Sequence, residues 1–246
     1  MTAVSIIMPT VNMGRFIGQA INSISRQGRE ILEIIVVDSA STDDTADVVR
    51  DLARAGAPIR FLQSGATAPS AARNEGMAVA RGDTIAFLDA DDLWPADKLK
   101  RQLDFLDGNP KKGMVSGFVR YFDIVDPQTL APAADSRVET IFHVHLGACI
   151  YRRDVFDRIG VFDPTLLYSE DVDLLLRVRE AEIDFTILRA ITLYYRKHQN
   201  SMMAQRNPRK SGDFRRAVAM SLVRRRAGGK PPIDHNLFET FLEAAP

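Results

Sequence analysis

At 246 residues, with 46% apolar and 26% charged side chains and a formal net charge of zero, the chain has the composition of an ordinary soluble globular protein and shows no bias toward nucleic acid. Its length suits one large α/β domain, with or without a short appendage. The lone cysteine, Cys149, excludes an internal disulfide and a multi-cysteine metal site, and with no basic leader, no cleavage site and no apolar run near the roughly 18 residues of a membrane span, a cytoplasmic protein is expected.

Val4 to Met8 reads as a buried strand ended by Pro9-Thr10-Val11-Asn12, after which Phe16, Ile17, Ala20, Ile21 and Ile24 recur at helical spacing. Ile31 to Val37 is a second strand, and Asp38 to Thr45 is its polar exit, with cap chemistry for a helix through Val48, Val49 and Leu52. Ile59 to Leu62 is a third strand, and Gly65 to Asn74 leads into a helix containing Ala71, Ala72, Met77, Ala78 and Ala80. Strands alternating with helices imply parallel βαβ units, with the ligand beyond the carboxyl ends of the strands.

The fourth strand organises the rest. Ile85 to Leu88 is a short apolar run that stops at Asp89-Ala90-Asp91-Asp92. Three acids within four residues repel one another and need a cation or strong donors in compensation. Hard carboxylate oxygens suit Mg²⁺ or Mn²⁺, which share their remaining positions with waters and phosphates. The plainer alternative is a solvated turn capping the next helix, with Asp92 near the N-cap and Pro95 in the first turn.

The second half is mixed. Gly113 to Val125 alternates like one or two strands, Asp126 to Ser136 is a loop, and Phe142 to Tyr151 is strand-like again. Arg153 to Ile159 is a short helix, and Leu174, Leu175, Leu176 and Val178 continue a helix with Asp171 in its opening turn, where the dipole favours an acid by roughly 0.3 to 1 kcal/mol. Phe185 to Leu188 and Ile191 to Tyr195 are late strands, followed by the basic exit Arg196 to Ser201. From Arg206 to Lys230 the tail carries a net +8, with Asp213 its lone acid. Its apolar residues, Ala217 to Val223, suit either an anionic membrane surface or packing on the core.

Six of these pieces, in this order, resemble the family 2 glycosyltransferases, an inverting group with a GT-A fold. Val4 to Asn12 is similar to the family's opening strand and P-T-x-N turn, and Glu33 to Thr45 to its V-V-D-x-x-S-T-D-x-T segment. Ala71-Ala72-Arg73-Asn74-Glu75-Gly76 resembles the A-R-N-x-G helix, and Asp89-Ala90-Asp91-Asp92 the D-x-D motif with its following Trp94-Pro95 and Lys98-Leu99. Ser169-Glu170-Asp171 resembles the E-D motif, and Tyr195-Arg196-Lys197-His198 the late basic motif.

The resemblance implies an α/β, GT-A (nucleotide-diphospho-sugar transferase) fold: a mainly parallel central sheet flanked by helices, a mixed acceptor-side half and a basic helical C-terminal tail. Residues 1–204 would form the transferase domain, with a nucleotide-binding half at 1–112 and an acceptor-binding half at 113–204, and 205–246 the extension. It implies a nucleoside-diphosphate sugar donor held by Pro9, Thr10, Asn12, Asp38, Ser41, Arg73, Asp89 and Ala90, and a glycan or glycolipid acceptor met by Trp94 and Glu170. Asp171 would be the base, and Asp91 with His198 would hold Mg²⁺ or Mn²⁺. Asp89 holds the ribose or positions the metal, and His198 meets phosphate or metal. Trp94 suits core packing better than a sugar-stacking platform, and His143 and His145, at period two, suit structural or acceptor-side roles. Peripheral contact with the inner face of the membrane through the tail, and a homodimer, stay open.

Val11 and Ser39 stand where family members often have Tyr and Asp against the base, which weakens the case for a uridine nucleotide and leaves thymidine and guanosine diphosphates open. Two other classes compete: a catalytically idle nucleotide- or glycan-binding partner subunit, and a nucleotidyltransferase. The second is expected to show an early glycine-rich phosphate loop, and Met8 to Gly14 has a single glycine.

Overall fold

The computed structural model describes residues 3–28, 31–141, 145–199, 201–202 and 207–231. Its first half is β1 (Val4–Thr10), α1 (Gly14–Ser25), β2 (Glu33–Asp38), α2 (Thr45–Arg54), β3 (Ile59–Gln63), α3 (Pro69–Val79) and β4 (Thr84–Phe87). These four strands pair in parallel in the order β3-β2-β1-β4. Both faces of β1, β2 and β4 are covered, which is why their sequences are nearly continuous apolar runs. Within each run the side chains divide by twos: Ile6, Met8, Ile34, Val36 and Ala86 face the layer of α1 and α2, while Ile7, Ile35, Val37, Ile85 and Phe87 face α3.

The second half adds α4 (Lys98–Gly108), β5 (Met114–Phe122), β6 (Val125–Asp126), β7 (Ala131–Pro132), β8 (Glu139–Ile141), β9 (Ile150–Arg152), α5 (Arg153–Ile159), α6 (Glu170–Glu180), β10 (Phe185–Arg196) and α7 (Arg209–Ala227). The whole sheet runs β10-β5-β9-β4-β1-β2-β3, with β8 paired to β5. β9 is antiparallel to both β4 and β5, and β10 is parallel to β5. The two reversals cancel, so β10 ends at the same edge as β4. That topology delivers Arg196 and His198 to the acid loop after β4. α4 joins the layer of α1 and α2, and α5 and α6 join that of α3.

The expected mixed sheet is therefore present, with local corrections. The two late strands are one, β10, whose register against β5 shifts around Ile191. Of the strand expected from Phe142 to Tyr151, residues 142–144, with His143, lie outside the described residues, Leu146–Ala148 is a 3₁₀ turn and the strand begins at Ile150. The loop after Val125 contains the small β6–β7 hairpin. Asp92 does not cap α4, which starts six residues later behind Asp97. Asn200 and Arg206 also lie outside the described residues.

α7 packs against α6 through its buried Asp213, Ala217 and Ser221, and Arg224 reaches Asp173 at 3.2 Å and Glu180 at 2.6 Å. Leu222 and Val223 face solvent. No described helix is long and apolar enough to cross a membrane.

Candidate active site

A cleft of about 730 Å³ opens at the carboxyl edge of β1, β2 and β4. Pro9, Thr10, Arg73, Asp89, Ala90, Asp91, Glu170 and Asp171, all singled out in the sequence, line it. Val11 and Ser39, the two positions that depart from the family pattern, line it as well.

Arg73 is the junction. Its side chain is buried, with Nη2 donating to Asp89 Oδ1 and Nη1 to Glu170 Oε1, both at 2.7 Å, so one guanidinium joins the loop after β4 to the start of α6. It is presented by α3, which lies close on the sheet because residue 76 is glycine: a Cβ there would stand 2.6 Å from Ile7 Cγ2. Asn74 beside it clasps the backbone of Phe162, accepting from its N–H and donating to its carbonyl, both at 2.9 Å. Burial would lower the Arg73 pKa, but the two facing carboxylates raise it, and it stays charged. Burial pushes Asp89 upward, yet the charge and hydrogen bond of Arg73 hold it below the usual carboxylate range. Glu170 is raised by burial and by its neighbour Asp171, against the pull of Arg73.

The acid loop is tied down from β10. The Arg196 N–H donates to Asp92 Oδ1 and its Nε to the Asp91 carbonyl, both at 2.8 Å, and its guanidinium lies against the rings of Phe16 and Phe122. Asp92 is buried, and burial together with Asp91 and Asp89 pushes its carboxyl well above the ordinary range. His198 Nε2 and Asp91 Oδ2 lie 2.9 Å apart, so the structure brings together the pair expected to hold the metal. A second candidate set was not foreseen: Asp89, Asp92 and His145 offer ligand atoms all within 4.8 Å of one another. An imidazole nitrogen with two carboxylate oxygens is a donor set that suits Mn²⁺, and burial lowers the His145 pKa, the direction that favours a ligating ring. Nothing in the spacing of His145 from the acid loop announces this, because the 3₁₀ turn that places it is a tertiary matter.

Asp171 sits in the first turn of α6, where its Oδ1 accepts the Val172 N–H at 2.8 Å. The preceding Ser169 has φ of 61°, a left-handed conformation that is costly for serine and sets the entry angle of the helix.

At the other end, Asn12, Asp38 and Ser41 are not among the cleft-lining residues. They lock two loops to each other: Asn12 N–H donates to Ser41 Oγ at 2.8 Å, Ser41 Oγ donates to Asp38, and Asn12 Oδ1 accepts the Thr42 N–H at 2.8 Å. Thr10, in the lining, buries an Oγ1 that has no hydrogen-bond partner. Trp94 corrects the expectation of an acceptor contact. It is 2% exposed, its Nε1 donates to the Gly147 carbonyl at 2.9 Å, and it belongs to the core under α4. Tyr195, from the late basic motif, also lines the cleft, as do residues that no motif pointed to, among them Met202, Lys210 and Phe214.

An α/β sheet of this order, with an acid loop and an acid-started helix meeting in one cleft, defines the GT-A class of nucleotide-diphospho-sugar transferases. The family model for glycosyl transferase family 2 matches residues 5–160, and the chain belongs to that family. It is 30% identical over 217 residues to the uncharacterized glycosyltransferase EpsJ of Bacillus subtilis, covering 81% of this chain and 62% of that one. It is 27% identical over 208 residues to WfaP of Escherichia coli, a UDP-Glc:alpha-D-GlcNAc-diphosphoundecaprenol beta-1,3-glucosyltransferase, covering 84% and 82%. The chain spans less than two thirds of the length of several such relatives, 54% for one from Nostoc. In fold it resembles S. aureus TarS in complex with UDP-GlcNAc, with a TM-score of 0.70 at 22% identity over 90% of this chain and 66% of that one. It also resembles the mannosyltransferase PcManGT of Pyrobaculum calidifontis in complex with GDP-Man and Mn²⁺, with a TM-score of 0.64 at 20% identity over 94% and 65%.

Proposed function

We propose that this chain is an inverting glycosyltransferase that moves a sugar from a nucleoside-diphosphate donor to a hydroxyl of a glycan or glycolipid acceptor. The observation that carries the reading is the Arg73 bridge between Asp89 and Glu170, which holds the D-x-D and E-D segments at one cleft. Pro9, Thr10 and Ala90 form the donor wall, and the Asn12, Ser41 and Asp38 network fixes the loops at its base end. The acceptor hydroxyl oxygen bonds to the anomeric carbon as the bond from that carbon to the diphosphate oxygen breaks. Asp171 takes the hydroxyl proton, and Glu170 shapes the acceptor side. Mg²⁺ or Mn²⁺, when bound, neutralises charge on the departing diphosphate. Two donor sets fit it, Asp91 with His198 and Asp89 with Asp92 and His145. The UDP-Glc named for WfaP and the GDP-Man bound to PcManGT support a nucleotide-sugar donor and leave the base open.

The exposed Leu222 and Val223 and the basic residues around them support peripheral contact between α7 and an anionic membrane face. Thermal shifts against UDP, GDP, TDP and CDP, each with and without Mn²⁺, test the reading. A metal-dependent rise with one nucleotide is expected. No rise with any favours an idle, glycan-binding partner subunit instead.

A further inference from the structure

α7 reaches the cleft from beyond residue 160, where the family model stops. Its inner face, Asp213, Ala217 and Ser221, repeats every four residues and packs on α6. Asp213 is 7% exposed, and its Oδ2 accepts the backbone N–H groups of Leu167 at 3.2 Å and Tyr168 at 3.1 Å. Those two residues lead into Ser169, Glu170 and Asp171. The helix is thus latched to the segment that presents the proposed base, and Arg224 fixes its far end on Asp173 and Glu180.

On either side of the latch, Lys210 and Phe214 line the cleft. Lys210 Nζ lies 5.7 Å from the Tyr168 ring centroid, and Phe214 is 50% exposed. Lys210 is a cationic side chain of the lining, beside Tyr168. α7 therefore offers the cleft a cation and an aromatic ring next to the Leu167–Tyr168 segment that leads into Asp171.

We propose that Lys210 and Phe214 form an acceptor subsite for a sugar that carries a phosphate group, the ammonium pairing with the phosphate and the ring covering the apolar face of the neighbouring sugar. The assignment rests on Asp171 marking the acceptor side. An ammonium and a phosphate make a charge-assisted hydrogen bond. The donor diphosphate offers the same chemistry, and the position of the latch favours the acceptor.

The test uses the full chain saturated with Mn²⁺ and whichever nucleoside diphosphate it binds, titrated with N-acetylglucosamine 1-phosphate and with the neutral methyl N-acetylglucosaminide. The phosphorylated sugar is expected to bind about tenfold more tightly, a difference of ~1.4 kcal/mol. Lys210→Gln removes that preference and Phe214→Ala weakens binding of both sugars, while nucleotide affinity and melting temperature stay as in wild type. Equal affinity for the two sugars in wild type overturns the proposal, as does an unchanged preference in Lys210→Gln. A loss of nucleotide affinity in Lys210→Gln overturns it too, by moving the lysine to the donor. If wild type binds no nucleoside diphosphate at all, the transferase reading fails and the subsite falls with it.

Discussion

Arg73 and Glu170 come from opposite halves of the chain and meet at 2.7 Å, one on the helix that packs against β1 and the other at the first residue of α6. Because Arg73 also bonds Asp89, removing its guanidinium leaves two carboxylates facing each other without a counter-charge. Arg73→Met is expected to destabilise the fold by roughly 3 kcal/mol, the low end for a broken buried pair because Asp89 is partly exposed. Chemical denaturation measures this. Full wild-type stability would show that the bridge contributes nothing to the fold.

Asp171→Asn keeps the size of the side chain and removes its basicity. Nucleotide binding is expected to stay within about twofold while transfer falls by roughly 10² to 10⁴, the contribution usual for a general base. Steady-state transfer and a nucleotide titration on the same preparation separate the two effects. Near-normal transfer would exclude Asp171 as the base.

The two candidate metal sets make different demands. If Asp91 and His198 hold the ion, Asp91→Ala and His198→Gln abolish the Mn²⁺-dependent part of nucleotide binding, and His145→Gln leaves it. If Asp89, Asp92 and His145 hold it, the outcomes exchange. Isothermal titration of nucleoside diphosphate with and without Mn²⁺ reads the difference directly.

Lys98 offers a pH test away from the cleft. It is fully buried, and burial lowers its pKa to about 7, although the Trp94 ring 4.2 Å from Nζ favours the cation and Gln102 accepts from it at 2.7 Å. Its pKa when unfolded is about 10.4, so between about pH 7 and that value the unfolded chain binds the extra proton. This group's contribution to stability therefore increases as pH rises through that window, by up to about 1.4 kcal/mol per unit. Lys98→Met removes the dependence. The variant's advantage in denaturant midpoint should be largest near pH 7 and shrink toward pH 10, and a constant difference across that range would contradict a neutral buried amine.

Some of this molecule is determined locally and was legible without coordinates. Runs such as Ile34 to Val37 are apolar throughout because helices cover both faces of the sheet, and each run ends where polar residues begin. The first βαβ units, the acid loop after β4, and the start of α6 at Glu170 follow from such patterns. α5 runs over the residues expected, Arg153 to Ile159.

What tertiary structure decided lies where residues distant in the chain compete for one place. The antiparallel β9, only three residues long, reverses direction between β4 and β5 and thereby returns the end of β10 to the acid loop. Trp94 follows the acid loop, but a buried acceptor for its indole N–H at Gly147 draws it into the core. His145 joins Asp89 and Asp92 through a 3₁₀ turn with no periodic signature. The basic tail could be read as surface or as packing until Asp213, its single acid, found the Leu167 and Tyr168 amides and set Lys210 and Phe214 at the cleft. Hydrophobic period and strand-end polarity are short-range properties that sequence carries, whereas a hydrogen bond across the fold depends on which surfaces the packed sheet brings within reach.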